Sequence, residues 1–156
     1  MESTIKINLD MSGFKRVEKA CEALSHTVEV GILHNPEEAR IGRLQHDGGI
    51  GKYYYGPFEG EEVAVPPRPF LLQAVEHFGK EILEQNTHIM NDFTVENAEK
   101  ALNRVGDMAK EVVQAEIDSF ARAGGNSERT IITKGKDSPL IDKGNLRSSI
   151  EYEVIK

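Results

Sequence analysis

The sequence predicts an α+β fold in which an antiparallel β-sheet is packed by two to three α-helices, one of them long, beside a long loop rich in glycine and tyrosine. Residues 26–33 and 149–154 alternate apolar and polar side chains, which is typical of half-buried strands. Apolar side chains recur every three or four positions from residue 95 to residue 120, which is the spacing of one helix face. A chain of 156 residues predicts a single domain that spans residues 1–156.

The first part of the chain predicts a strand, a helix and a second strand. Residues 4–9 alternate apolar and polar side chains and predict a short strand. Ser12 can cap a helix that ends near Leu24, because apolar side chains follow it at spacings of three and four. The alternating residues 26–33 form the second predicted strand.

Residues 34–66 show no sustained period, and we expect residues 47–62 to form a mobile loop or arm. The glycines in this loop permit backbone conformations that other residues resist. Its aromatic side chains offer contact area with a polar tip, and protein interfaces are enriched in tyrosine. The candidate interaction residues of the loop are Tyr53, Tyr54, Tyr55 and Phe58.

A sharp helix start is predicted at Phe70. Pro66, Pro67 and Pro69 fix φ and lack a backbone donor, so the chain before Phe70 is extended. Apolar side chains then recur at helical spacing to about residue 85. We expect Arg68 to fix the corner before this helix, and it is a further candidate interaction residue.

The longest predicted helix follows. Thr94 can cap it, and the pair Gly124 and Gly125 is a strong signal for its end. A helix of this length is long for so small a domain, so part of its apolar face is expected to pack on a neighbouring subunit. Gly106 is its weak point, since glycine inside a helix costs about 1 kcal/mol relative to alanine.

The C-terminal part predicts an extended segment over residues 126–139 and a closing strand over residues 149–154. Between them, Asp142 can cap a short turn over residues 143–147, and Leu146 is expected to fill the core. The closing strand could pair with residues 28–33. The structural residues of this part are Asp142, Gly144, Leu146 and Arg147, and those of the preceding helix start are Pro67 and Phe70.

Composition and charge exclude several classes of protein. The chain has 19 Lys and Arg residues against 26 Asp and Glu residues, a net charge of −7, which argues against a protein that mainly neutralises nucleic-acid phosphates. A single cysteine, Cys21, excludes an intrachain disulfide framework and a Cys-rich zinc site. No apolar run is long enough to predict a membrane span.

No catalytic, cofactor-binding or metal-binding residue is predicted. Residues 49–52 resemble the end of a phosphate-binding loop, but His46 stands where that loop needs its first glycine and Tyr53 where it needs Ser or Thr. The five histidines form no recognisable set of converging metal ligands. The adjacent His46 and Asp47 leave one alternative open, a small-ligand-binding or hydrolytic domain.

Three segments carry a resemblance to a known family. The first comprises residues 28–32 with residues 41–49 after them, and the second comprises residues 66–71, similar to a Pro-x-Arg-x-Phe pattern. The third and most specific covers residues 134–150 and is similar to Pro-Leu-Ile-Asp-Thr-Gly-x-Leu-Arg-x-Ser-Ile, with Lys143 in place of the threonine. In this order they resemble small morphogenesis proteins of tailed bacteriophages, the head–tail joining, neck or tail-completion family.

This resemblance implies a subunit without catalytic machinery that assembles as a homo-oligomeric ring between the capsid portal and the tail. Its expected partners are further copies of itself, a portal or adaptor protein, and a tail-tube or tail-terminator protein. It implies a location in the virion neck or tail after synthesis in the host bacterial cytoplasm, with no membrane and no sequence-specific nucleic acid as partner, although DNA could pass through the ring. The alternative within this class is a tail terminator or minor tail protein.

Overall fold

The computed structural model describes residues 25–83 and 97–155, together with Lys15, Glu18 and Glu22. The strands in this part are β1 (Thr27–Gly31), β2 (Gly49–Lys52), β3 (Glu62–Val65) and β4 (Glu151–Ile155). The α-helices in it are α1 (Pro36–Asp47), α2 (Phe70–His77), α3 (Ala98–Ala123), α4 (Glu128–Lys134) and the single turn α5 (Asn145–Ser148). A π-helical segment, Phe78–Leu83, extends α2. The α+β class is therefore confirmed.

Within the described residues, the strands form two small antiparallel sheets. β1 pairs with β4, with Val30 opposite Tyr152, so the predicted pairing of the closing strand is confirmed. β2 pairs with β3 as a hairpin, which we call the β2–β3 hairpin. The predicted strand over residues 4–9 lies outside the described residues, as does most of the helix predicted after it.

Residues 34–66, which show no sustained period in the sequence, contain a helix and two strands. α1 begins after Asn35, whose side-chain oxygen accepts a hydrogen bond from the backbone N–H of Glu38 at 3.1 Å, and Pro36 occupies the first helical position. The expected loop over residues 47–62 instead contains β2 and the start of β3, so residues 53–61 alone connect the two strands.

Residues 126–139 do not form the predicted extended segment, because α4 occupies the middle of it. Ser127 Oγ accepts a hydrogen bond from the backbone N–H of Thr130 at 3.3 Å at the start of α4. Gly135, with a left-handed φ of 72°, ends the helix. These two end signals outweigh the strand preference of the β-branched residues 130–133.

The remaining helix predictions are confirmed except at their caps. α2 begins at Phe70 and α3 ends before Gly124, as predicted. Thr94, the predicted cap of the long helix, lies outside the described residues. Asp142 does not cap α5, because Gly144 with φ 89° stands at the N-terminal cap position without a side-chain hydrogen bond.

The core lies between α2, α3 and the turn that contains α5. Its buried residues are Phe70, Ala74, Val113, Ile117, Leu140, Leu146 and Ile150. Leu146 is 5% exposed, which confirms its predicted place in the core. α3 contacts α2 and also the β1–β4 sheet, so this one helix joins two layers of the fold.

Candidate functional site

A cleft of about 650 Å³ opens between α1, the β2–β3 hairpin, the α3–α4 connection and the turn before α5. Most residues that the sequence singles out for interaction line this cleft, although they lie far apart in the chain. The lining includes Tyr53, Tyr54, Tyr55, Arg68, Asp142, Gly144 and Leu146. We call it the central cleft, and it is the candidate functional site.

The three tyrosines attach the loop after β2 to three different elements. The Tyr53 hydroxyl lies 3.3 Å from Thr130 Oγ1 of α4. Arg40 Nη2 of α1 donates a hydrogen bond to the Tyr54 hydroxyl at 3.0 Å. The Tyr55 hydroxyl donates to Asp142 Oδ2 at 2.6 Å. These bonds hold one wall of the central cleft in place.

The tyrosines differ in how much surface they leave free for a partner. Tyr53 is only 8% exposed and packs against Phe58, with the ring centroids 5.8 Å apart. The guanidinium of Arg129 lies 4.9 Å from the Phe58 ring centroid and also pairs with Glu61 at 2.6 Å. Tyr53 and Phe58 therefore pack against other residues of the same chain, whereas Tyr54 is 64% exposed.

Arg68 is a buried cation in the wall of the cleft, with 8% of its surface exposed. Its Nη1 donates to Gln45 Oε1 at 3.0 Å and its Nη2 to the Gly125 carbonyl at 3.4 Å. Burial lowers the pKa of its guanidinium, while the charge of Asp137 acts in the opposite direction. Arg68 thus fixes the corner before α2, as predicted, by bonding to the end of α1 and to the chain after α3.

Asp142 acts across the cleft instead of capping α5. Its carboxylate accepts the hydrogen bond from Tyr55, which together with burial raises the pKa of the Tyr55 hydroxyl to about 12. Its backbone carbonyl accepts a hydrogen bond from Lys136 Nζ at 2.9 Å. The Lys143 ammonium lies 5.9 Å from the Tyr55 ring centroid. Asp142 therefore joins the turn before α5 to the opposite wall.

Four other predicted residues lie outside the cleft lining and support the fold. Phe58 packs on Tyr53, and Phe70 lies at the centre of the core with no exposed surface. Arg147 Nε donates to Asp118 Oδ1 of α3 at 2.9 Å. Pro67 lies so close to Gly48 that a Cβ at Gly48 would come within 2.9 Å of the Pro67 nitrogen.

The structure brings His46 and Asp47 into contact, as a catalytic alternative would require. His46 Nδ1 lies 2.9 Å from Asp47 Oδ1, and this hydrogen bond lowers the pKa of Asp47. The other ring nitrogen, Nε2, is buried without a partner among the described residues, and the ring edge faces Phe70 with centroids 5.6 Å apart. The pair therefore lies at the end of α1 with one imidazole nitrogen of His46 buried.

Sequence reasoning missed several cleft residues on α4 and after it. Lys134 and Thr133 line the cleft because residues 130–133 form a helix and not an arm. Leu140, also in the lining, is a buried residue with φ 62°, a left-handed conformation that leucine rarely adopts. Strained backbone of this kind is concentrated at functional sites. Nothing in the local sequence marks this conformation in advance.

Asp137 holds the α3–α4 connection beside the cleft, and its removal is expected to destabilise the protein in a pH-dependent way. The backbone N–H groups of Gly125 and Asn126 donate to its carboxylate at 3.0 and 2.9 Å and lower its pKa below the ordinary value of 3.8. A depressed folded-state pKa contributes stability above the unfolded-state pKa, and that stability is lost as the pH falls through the folded-state pKa. Asp137→Asn should therefore lower the urea midpoint at neutral pH, with the difference from wild type closing in acid. Equal midpoints at neutral pH would contradict this role.

Comparison of the chain with protein-family models, with curated proteins and with solved structures gives no match in any of the three. Among the described residues, no helix is both long enough and apolar enough to cross a membrane. In the same part of the chain, no three His, Cys, Asp or Glu side chains are grouped so that they could hold a metal ion.

Proposed function

We propose that this protein is a non-enzymatic structural subunit of a tailed-bacteriophage virion, which acts in head–tail joining or tail completion as part of a ring. The proposal starts from the three segments that resemble the neck family. Parts of all three meet at one core, where Val30 and Ile32 pack against Phe70, Leu146 and Ile150. The segments that carry the resemblance thus form one structural unit, as expected if they specify a common fold.

The observation that carries the proposal is a pair of exposed apolar patches on different elements. Leu72 and Val75 are 56% and 70% exposed and lie three positions apart, on one face of α2. We call this pair the α2 patch. Ile50 of β2 and Tyr54 of the loop after it are 66% and 64% exposed, and we call these two residues the hairpin patch. Each neighbour contact in a ring joins two different patches of the subunit, so a ring subunit needs two such surfaces.

In this proposal the α2 patch of one copy packs on the hairpin patch of the next. The remaining surface contacts a portal or adaptor protein on one side and a tail-tube or tail-terminator protein on the other. The hairpin patch and Tyr55 belong to the segment that the sequence singled out for docking. The subunit is located in the neck of the virion, and DNA passes through the ring without sequence-specific contacts.

Light scattering and negative-stain electron microscopy of two single variants and their mixture test this proposal. Val75→Glu places a charge in the α2 patch and Ile50→Glu places one in the hairpin patch. Each variant alone is expected to be a folded monomer under conditions where wild type forms rings. Their equimolar mixture is expected to form a heterodimer, because one copy keeps each intact patch. Ile132→Glu is the matched control, since Ile132 is 56% exposed but lies in neither patch.

The proposal is wrong if the wild type is monomeric at high concentration and does not assemble when virion extract is added. A different result also rejects it: if Ile50→Glu alone forms stable dimers, the α2 patch pairs with itself, which is incompatible with a ring contact between unlike patches. Circular dichroism of each variant confirms that the charge has not unfolded the subunit.

A further inference from the structure

The central cleft is positively charged in a protein that is negatively charged overall. Its cationic side chains are Arg40, Lys52, Arg68, Lys134 and Lys143. Its acidic side chains are Glu38 and Asp142, so the lining carries 5 − 2 = +3. The whole chain carries −7, and the rest of the chain therefore carries −7 − 3 = −10. Such a local reversal of sign attracts anionic groups to the cleft.

None of these five cations forms an ion pair within 4.0 Å with a carboxylate of the described residues, although arginines elsewhere do. Arg43, Arg129 and Arg147, outside the lining, pair with Asp47, Glu61 and Asp118 respectively. Three of the five bond instead to neutral groups. Arg68 bonds to Gln45 and Gly125, Lys134 Nζ donates to the Ser138 carbonyl at 2.7 Å, and Arg40 donates to the Tyr54 hydroxyl.

Two of the cations, Arg68 and Lys134, are buried and half-buried respectively without an ion-pair partner among the described residues. Burial lowers the pKa of both Arg68 and Lys134, while Asp137 and Asp142 counteract it only at longer range. Charged groups away from water cost free energy unless an opposite charge lies beside them. Thr133 Oγ1, in the same wall, is buried without a hydrogen-bond partner in the described part of the chain. A bound anion would supply the missing partner charge.

Part of the cleft lining is apolar, and we call this part the cleft floor. Ile41 and Leu44 of α1, Val63 and Val65 of β3, and Leu140 line it. A volume of about 650 Å³ lies within the usual range of ligand sites, roughly 300–1,000 Å³. The ligand that fits both features carries carboxylates for the cleft cations and an apolar side chain for the floor. A nucleic acid fits less well, because the rest of the chain carries a net charge of −10, which disfavours phosphates that extend beyond the cleft.

We propose that the central cleft binds a short acidic segment of a partner protein, with carboxylates on the cleft cations and an apolar side chain on the cleft floor. Tyr54, whose hydroxyl accepts the hydrogen bond from Arg40, lines the same cleft. This inference rests on the cleft alone and does not require the proposed function to hold.

Fluorescence anisotropy with a labelled peptide that alternates glutamate and leucine tests the inference. The glutamate–leucine peptide is expected to bind at least about tenfold more tightly than a matched glutamine–leucine peptide, equivalent to about 1.4 kcal/mol. Lys143→Glu and Lys52→Glu, both at exposed positions, are each expected to weaken binding by about tenfold or more. Lys100→Glu is the matched control, because Lys100 is exposed on α3 outside the cleft, and it should leave the affinity unchanged.

Four outcomes would overturn the inference. These are the absence of saturable binding of the glutamate–leucine peptide, equal affinity for the glutamine–leucine peptide, an equal loss with Lys100→Glu, and tighter binding of a single-stranded DNA oligonucleotide of the same charge. The last outcome would assign the cleft to nucleic acid. Failure here leaves the ring proposal standing, since that proposal is tested by charges in the α2 and hairpin patches and by particle size.

Discussion

Replacing Phe70 with alanine is expected to lower the free energy of unfolding by about 3–5 kcal/mol. The Phe70 side chain has no exposed surface and packs in the core with Ile117, Leu146 and Ile150. Alanine would remove the ring and leave a cavity where α2, α3 and the α5 turn meet. Because the free energy of unfolding of a domain is only about 5–15 kcal/mol, this one substitution would remove a large part of it. Urea denaturation followed by circular dichroism measures the loss.

Leu72→Ala provides the matched control on the same helix. Leu72 lies two positions after Phe70 but is 56% exposed, so its truncation is expected to change the stability of the monomer by less than about 0.5 kcal/mol. Phe70→Leu, which keeps an apolar side chain of intermediate size, should fall between the two. A Phe70→Ala variant as stable as Leu72→Ala would show that Phe70 is not at the centre of the core.

The same helix shows why part of the fold could be predicted from the sequence. α2 and α3 carry apolar side chains at helical spacing, and Pro69 and Gly124 mark a start and an end that local chemistry alone decides. β1 and β4 largely alternate apolar and polar side chains, so both strands could be predicted from the pattern. Long periodic segments are predictable because the same apolar pattern recurs along the whole helix or strand.

α1 and α4 were not predicted, because the residues that specify them lie at the helix ends and not in a repeating apolar pattern. α1 has few apolar residues and one buried position, Gly42, so its periodicity is weak. Its Asn35 cap, Pro36 and the acidic Glu37 and Glu38 are nevertheless a complete helix start. α4 has only seven residues, and its β-branched residues favour a strand unless the Ser127 cap and Gly135 are considered together.

Residues of the candidate site could be predicted from the sequence, but their arrangement in space could not. The aromatic and proline-rich segments are conspicuous in the sequence, and Tyr55, Arg68 and Asp142 could be named from it. Their contact could not be predicted, because Tyr55 and Asp142 are 87 positions apart in the sequence and lie side by side only in the folded chain. The positive charge of the cleft could not be predicted for the same reason. The net charge of −7 describes the whole chain and does not show which cations folding brings together.

Gly106→Ala is expected to destabilise the protein by about 1–3 kcal/mol, opposite in sign to the usual effect of this change in a helix. A Cβ at Gly106 would overlap the body of the Tyr152 ring, and its nearest contacts are ring carbons. Tyr152 is held on β4 opposite Val30, and its hydroxyl donates to Asn103 Oδ1 at 3.3 Å. The ring would have to move away, which would separate α3 from the β1–β4 sheet. Thermal or urea unfolding measures the change.

A double-mutant cycle separates this contact from helix propensity. In a Tyr152→Ala background the obstacle is gone, so Gly106→Ala should instead stabilise the protein by about 1 kcal/mol. The sign of the effect thus depends on a single side chain on a different element. If Gly106→Ala is stabilising in both backgrounds, α3 does not approach the sheet as closely as the structure shows. If it is destabilising in both, Gly106 is required for a contact other than the one with Tyr152.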